Sequence, residues 1–166
     1  VDPSFSITRS LIERYELDLG NLKRFYRVDF SETTFKRIDK HHQEYQEKLA
    51  SLDFDKLSQA GKIDYLLFKT HLHYERKDLN TERKRISEVM EIAPWAIDII
   101  KLIEDRQSVE PVDAGKLASY LFKLNQTISK QKKHWEKIGN KGFDKIIANR
   151  SANLLNKLNS YLSEWY

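Results

Sequence analysis

Residues 31–52 decide the fold most clearly, and they have the sequence SETTFKRIDKHHQEYQEKLASL. Steps of three and four residues separate the members of one stripe: Phe35, Ile38, His42, Tyr45, Leu49 and Leu52. This spacing places them on one side of an α-helix, as expected for a helix that packs nearly antiparallel to a neighbour. Asp29 or Ser31 can cap its start, and Asp53-Phe54-Asp55 ends it.

Five further stretches show helical spacing: residues 4–19, 58–89 and 95–106, and the segments that follow Asp113 and Asp144. The first has Tyr15 on its apolar stripe, and the last has Leu154 and Leu158 on its stripe. Asp113 should cap the fifth helix, whose stripe includes Leu121, Leu124 and Ile138. Glycine and proline together make up only eight of the 166 residues, less than half the usual share, so turns are few and helices long. A sandwich or barrel would need many more turns. We therefore predict an all-α, antiparallel array of about six helices that forms a single helical domain over residues 1–166.

Three local features of these helices can be predicted. Gly20-Asn21 favours a break after the first helix, followed by a partly packed connector, although Leu22, Phe25 and Tyr26 would extend the stripe if Gly20 were tolerated. Residues 95–106 are apolar on most sides and should be buried on more than one side. The third helix is expected to pack through Ile63, Leu66, Leu67, Thr70 and Tyr74.

The composition excludes several classes of protein. The absence of cysteine excludes a disulfide scaffold, a thiolate metal site, a cysteine nucleophile and an iron–sulfur cluster. No stretch approaches the roughly 20 apolar residues that a membrane-spanning helix needs. The chain starts with Val1 rather than Met, and helical spacing still runs through Leu162 and Trp165, so we expect it to be a piece of a longer protein that continues beyond Tyr166.

The histidines are the first candidates for chemistry: His41, His42, His71, His73 and His134. Neither His-Glu-x-x-His nor Glu-x-x-His occurs, and the nearest approaches to a ligand pair are His71 with Glu75 and His41 with Glu44. Two ligands on one helix do not hold a metal without a third. We therefore assign no catalytic or metal residue, and expect a surface hydrogen bond or weak ion pair for His71 and Glu75. His42 should be a core-edge imidazole bonded to a neighbouring helix.

Positive charge is concentrated in residues 114–157, which contain ten Lys/Arg and only two acidic residues. This stretch has a net charge of +8, whereas the whole chain has a net charge of +4. A candidate anion-facing surface lies on the fifth helix and consists of Lys116, Lys123, Lys130, Lys133 and Lys137. All of these except Lys133 follow one another at seven-residue spacing, which places them on one line of the helix. Two alternatives are a solvated face whose lysine stems cover apolar surface, and a face that meets an acidic domain. Nucleic acid is not favoured, because Arg150 is the only arginine of the stretch.

Other side chains point to a partner that covers them. Phe122 lies off the stripe of the fifth helix, and the last helix ends in Trp165-Tyr166. We assign Phe122, Trp165 and Tyr166 to a candidate docking surface, which the remainder of the same polypeptide would bury.

Several segments resemble the N-terminal part of the bacterial domain-of-unknown-function family 885. The closest likeness covers residues 52–58 (LDFDKLS) and 61–67 (GKIDYLL), with Leu72 and Glu75. Residues 17–20 (LDLG) and 162–166 (LSEWY) are also similar to family segments.

The resemblance implies a long, largely helical, secreted or lipid-anchored protein related to zinc metallopeptidases, in the bacterial periplasm or cell envelope. The His-Glu-x-x-His helix of that family lies beyond its N-terminal region, so zinc would belong to the parent protein and no cofactor to this chain. The first hypothesis is a non-catalytic N-terminal scaffold region of such a protein, of unknown substrate. The alternative is a self-standing helical adaptor that binds an anionic partner through residues 114–157, and a third hypothesis is an enzyme that uses His71.

Overall fold

The computed structural model describes residues 7–28, 30–108, 111, 113–139 and 144–163. Within them the chain forms six α-helices, one short 3-10 helix and no strand. The helices are α1 (Ile7–Phe25), α2 (Glu32–Ala50), α3 (Gln59–Ile92), α4 (Ala96–Gln107), α5 (Ala114–Ile138) and α6 (Lys145–Ser163), with the 3-10 turn at Phe54–Lys56. The predicted all-α fold with six helices is confirmed.

Residue contacts divide the chain into two compact units, Val1–Lys84 and Arg85–Tyr166. The first unit contains α1, α2 and most of α3, and the second contains the end of α3 with α4, α5 and α6. Each unit buries apolar side chains of its own. That residues 1–166 act as one domain stays a prediction.

Side chains from α1, α2 and α3 build the core of the first unit. This core consists of Tyr15, Leu19, Ile38, Tyr45, Leu49, Phe68 and Leu72. Every member of the stripe predicted for α2 is buried except Leu52, which is half-buried. The hydroxyl of Ser31 accepts a hydrogen bond from the amide of Thr34 at 3.0 Å, so Ser31 is the cap, whereas Asp29 lies outside the described residues.

The predicted break at Gly20 is wrong, because α1 continues through Gly20 to Phe25. Leu19 is buried, and Leu22 and Tyr26 are half-buried, so the stripe carries the helix past the glycine. Glycine in a helix costs about 1 kcal/mol relative to alanine. Burial of side chains on both sides of Gly20 offsets that cost.

The side of α3 expected to pack is in fact exposed. Phe68 and Leu72 lie in the core instead, one turn apart, and Gly61 and Tyr65 extend that side towards the start of the helix. Four large side chains of the predicted face are at least half exposed: Ile63 (51%), Leu66 (55%), Leu67 (64%) and Tyr74 (65%). Both rows have helical spacing, so periodicity could not decide which one packs. We call these four residues the α3 stripe.

The second unit packs α4 against α6. Ala96, Ile99, Ile100 and Ile103 form a single buried face of α4. The prediction that this helix is buried on more than one side is wrong, because Ile97 and the charged residues on its side of the helix are exposed. In α6, Leu154 and Leu158 are buried as predicted.

The helix α5 starts at its predicted cap, since a carboxylate oxygen of Asp113 accepts from the amides of Gly115 and Lys116, both at 3.0 Å. Leu124 is its only buried residue, and Leu121 and Ile138 of the predicted stripe are exposed. Much of α5 therefore faces solvent. In the described part of the chain, no helix is long and apolar enough to cross a membrane.

Replacing Gly20 with Ala is expected to stabilise the protein by about 1 kcal/mol, because alanine favours the helix and its Cβ would meet no atom within 4 Å. Thermal unfolding followed by circular dichroism should show a higher midpoint. The control is Gly139→Ala, which should lower the midpoint because Gly139 has a φ of 61°. A lower midpoint for Gly20→Ala would contradict the continuous helix.

Candidate functional site

The polar side chains of the first unit converge on one tyrosine ring. Tyr15 of α1 has no solvent exposure. The His41 ring stacks on it with centroids 5.0 Å apart and an interplanar angle of 16°. Tyr45, Phe68 and His71 present edges to the ring at 5.3, 5.1 and 5.8 Å. With His42, these residues form the Tyr15 cluster: Tyr15, His41, His42, Tyr45, Phe68 and His71.

Hydrogen bonds fix two imidazoles of this cluster to α1. The Tyr15 hydroxyl lies 3.1 Å from Nδ1 of His42, and Nε2 of His41 lies 3.3 Å from the backbone carbonyl of Tyr15. The carbonyl can only accept, so Nε2 of His41 is the protonated nitrogen that donates. The prediction that His42 bonds to a neighbouring helix is confirmed, and Tyr15 is its partner.

Burial controls protonation in this cluster. It lowers the pKa of His42 to about 4, and the adjacent His41 contributes to the same shift. Burial also lowers the pKa of His41, and it raises the pKa of Tyr15 far above the ordinary value, with Glu75 and Glu16 adding to the effect. The buried imidazole of His42 is therefore neutral at pH 7, and its partner hydroxyl is protonated.

A carboxylate anchors the second tyrosine at the edge of the cluster. The Tyr45 hydroxyl donates to Oδ2 of Asp18 at 2.7 Å, and Nε of Arg14 donates to the same oxygen at 3.1 Å. The bond from Tyr45 and the nearby guanidinium hold the pKa of Asp18 below its usual range. Burial, followed by the bond to Asp18, raises the pKa of Tyr45 to about 12.

The Tyr15 cluster does not fit a metal ion. The imidazoles of His41 and His42 already pack on Tyr15 and bond to α1, and Nε2 of His71 lies 3.8 Å from Glu16 of α1. Among the described residues, no group of three or more His, Cys, Asp or Glu is placed to hold a metal. We therefore derive no zinc chemistry from this chain's own side chains.

The predicted anion-facing lysines all lie on the solvent side of the structure. Lys116, Lys123, Lys130, Lys133 and Lys137 are exposed on α5. Lys116 has a distant ion pair with Asp113 at 3.9 Å, and its side chain is 88% exposed. Arg150 of α6 is not part of this surface, because it forms a salt bridge with Glu88 at 2.5 Å.

Only one member of the predicted docking surface can be located. Phe122 is 64% exposed on α5, whereas Trp165 and Tyr166 lie outside the described residues. The α3 stripe was missed as a surface feature because its spacing is that of a packed face. Convergence on Tyr15 was also missed: Tyr15 lay in the predicted stripe of the first helix, but periodicity within one helix does not reveal its partners on another.

The pKa of His42 makes stability depend on pH. The histidine is neutral in the folded protein down to about pH 4 but takes up a proton near pH 6.5 when unfolded. The unfolded state then binds more protons, so stability should fall by about 2–3 kcal/mol as the pH is lowered through this window. Urea unfolding at several pH values measures the loss.

Replacing Tyr15 with Phe together with His42→Leu should remove the part of this pH dependence that His42 causes and leave no orphaned hydroxyl, while His41, whose pKa burial also lowers, keeps its own contribution. His134→Leu is the control, because it removes an exposed histidine that lies outside the Tyr15 cluster. A double variant with the wild-type profile would show that other groups cause the acid sensitivity.

Comparison with known proteins adds no identification. No family model matches the chain, no curated protein matches it, and no solved structure matches it. The resemblance to the bacterial family 885 stays a prediction.

Proposed function

We propose that this chain is a non-catalytic helical scaffold region that docks the catalytic body of a zinc metallopeptidase-like protein of the bacterial envelope. The α3 stripe carries this proposal. Ile63, Leu66, Leu67 and Tyr74 lie within three turns on one side of α3, all at least half exposed. Large apolar side chains exposed together on one side of a helix are characteristic of a binding surface.

The opposite side of α3 packs in the core of the first unit and so fixes the position of the α3 stripe. Phe68 and Leu72 are buried in the core of the first unit, so the helix that carries the stripe is anchored over the same turns. A surface on a packed helix needs little ordering when it binds. Burial of the exposed half of each side chain would contribute about 1 kcal/mol.

The state of the histidines supports a non-catalytic role. General acid–base catalysis needs a group with a pKa near the working pH and within reach of substrate. His42 is only 1% exposed and has a pKa of about 4, and His41 is buried beside it. Their contacts support the packing of α1 on α2.

Docking can be tested with the region of the parent gene that follows residue 166, if it encodes His-Glu-x-x-His. The separately purified catalytic region should bind this chain, and Leu66→Glu with Leu67→Glu should weaken binding more than tenfold because two charges would be buried. Leu17→Glu on α1 is the matched control for Leu67→Glu alone, since Leu17 and Leu67 are both 64% exposed. Equal loss with Leu17→Glu would contradict docking through the α3 stripe.

Metal analysis and peptidase assays test the other half of this proposal. The isolated chain should hold no stoichiometric zinc and cleave no peptide. Stoichiometric zinc on the purified chain, or a reading frame without a metallopeptidase motif, would overturn the assignment.

A second candidate function is an adaptor that holds an anionic partner. The observation that favours it is the exposure of all five lysines predicted to face an anion. Binding to immobilised heparin that weakens steeply with added salt would support it. No retention at low salt would eliminate it.

A further inference from the structure

The lysines of α5 form an extended positive row. Lys116, Lys123, Lys130 and Lys137 recur every seven residues, which is nearly two helical turns, so successive side chains lie about 10.5 Å apart on one line. The row is about 32 Å long. Lys133 lies one turn from both Lys130 and Lys137 and widens the row. We call these five residues the lysine face.

This charge is poorly compensated within the protein. Of the five lysines, only Lys116 has an ion pair in the described part of the chain, and that contact is 3.9 Å long. Residues 114–157 contain just two acidic residues, Glu136 and Asp144. An exposed row of like charges repels itself and attracts an anionic surface.

An exposed aromatic ring borders the lysine face. Phe122 is 64% exposed, and Lys133 follows it by eleven residues, almost exactly three turns, so Phe122 lies in line with Lys133, at the edge of the face and about 100° around the helix from Lys123. An apolar ring beside a row of ammonium groups is suited to the boundary between lipid headgroups and acyl chains. The ring can enter that boundary while the lysines reach the phosphates above it.

The shape of the face favours a flat partner. A plane can meet every lysine of a straight row at once, whereas the phosphates of duplex DNA wind around a cylinder and meet such a row at few points. The helix α5 has no arginine, the residue suited to phosphate and base forks, and Arg150 of α6 is bound to Glu88.

We propose that the lysine face and Phe122 bind the surface of an anionic lipid bilayer, an inference that rests on the adaptor function proposed above and names its partner. The helix would lie along the membrane plane. Its lysines would contact headgroup phosphates, and Phe122 would enter the interface.

Vesicle binding by the whole chain tests this proposal. The protein should sediment with phosphatidylcholine vesicles that contain phosphatidylglycerol, and not with phosphatidylcholine alone. Each lysine near an anionic leaflet strengthens binding about fivefold, so Lys123→Gln, Lys130→Gln and Lys137→Gln together should weaken it about 100-fold. Circular dichroism should show that this triple variant keeps its helices, since the three side chains are exposed.

The control removes three exposed lysines from the first unit: Lys23, Lys40 and Lys56 to Gln. This variant has the same net charge as the α5 variant. If the position of the lysines determines binding, it should bind the anionic vesicles as tightly as the wild type does. Equal loss in both triple variants would overturn the proposal, because binding would then depend on net charge alone.

Phe122→Ala distinguishes a lipid surface from other polyanions. Loss of the ring should weaken vesicle binding about fivefold and leave heparin binding unchanged. Heparin or duplex DNA bound through the same lysines, without vesicle binding, would overturn the lipid assignment and leave the adaptor function standing. No binding to vesicles, heparin or DNA at low salt would overturn both.

Discussion

The first unit depends on the enclosure of the Tyr15 ring. This side chain has no solvent exposure, and α2 and α3 both contact it. Its hydroxyl is satisfied by His42, so the ring can be buried without an unpaired polar atom. A histidine is suited to this position because a neutral imidazole offers a nitrogen that can accept the hydrogen bond of the hydroxyl. The consequence is that three of the five histidines of the chain serve packing.

What could be predicted from the sequence was what a single helix displays. The stripe of α2 follows from its spacing, and the caps at Ser31 and Asp113 follow from residue type and position. The exposure of the lysines on α5 also follows from their place beside a stripe.

The predictions were wrong where the spacing of residues within one helix does not determine how that helix packs against its neighbours. On α3, the row with Phe68 and Leu72 competes with the row that starts at Ile63, and the choice is made by the residues of α1 and α2 that meet it. At Gly20, local propensity favours a break, but packing on both sides carries the helix through. Convergence on Tyr15 is a property of three helices together.

The division of cationic residues between arginine and lysine has a consequence for control of the charged surface. Arg150 is bound to Glu88, while α5 carries its positive charge on lysine amines alone. Acetylation of those amines would remove the charge one residue at a time and leave the guanidinium salt bridge intact. Acetylation can therefore remove the positive charge of α5 without disturbing the salt bridge between α6 and the end of α3.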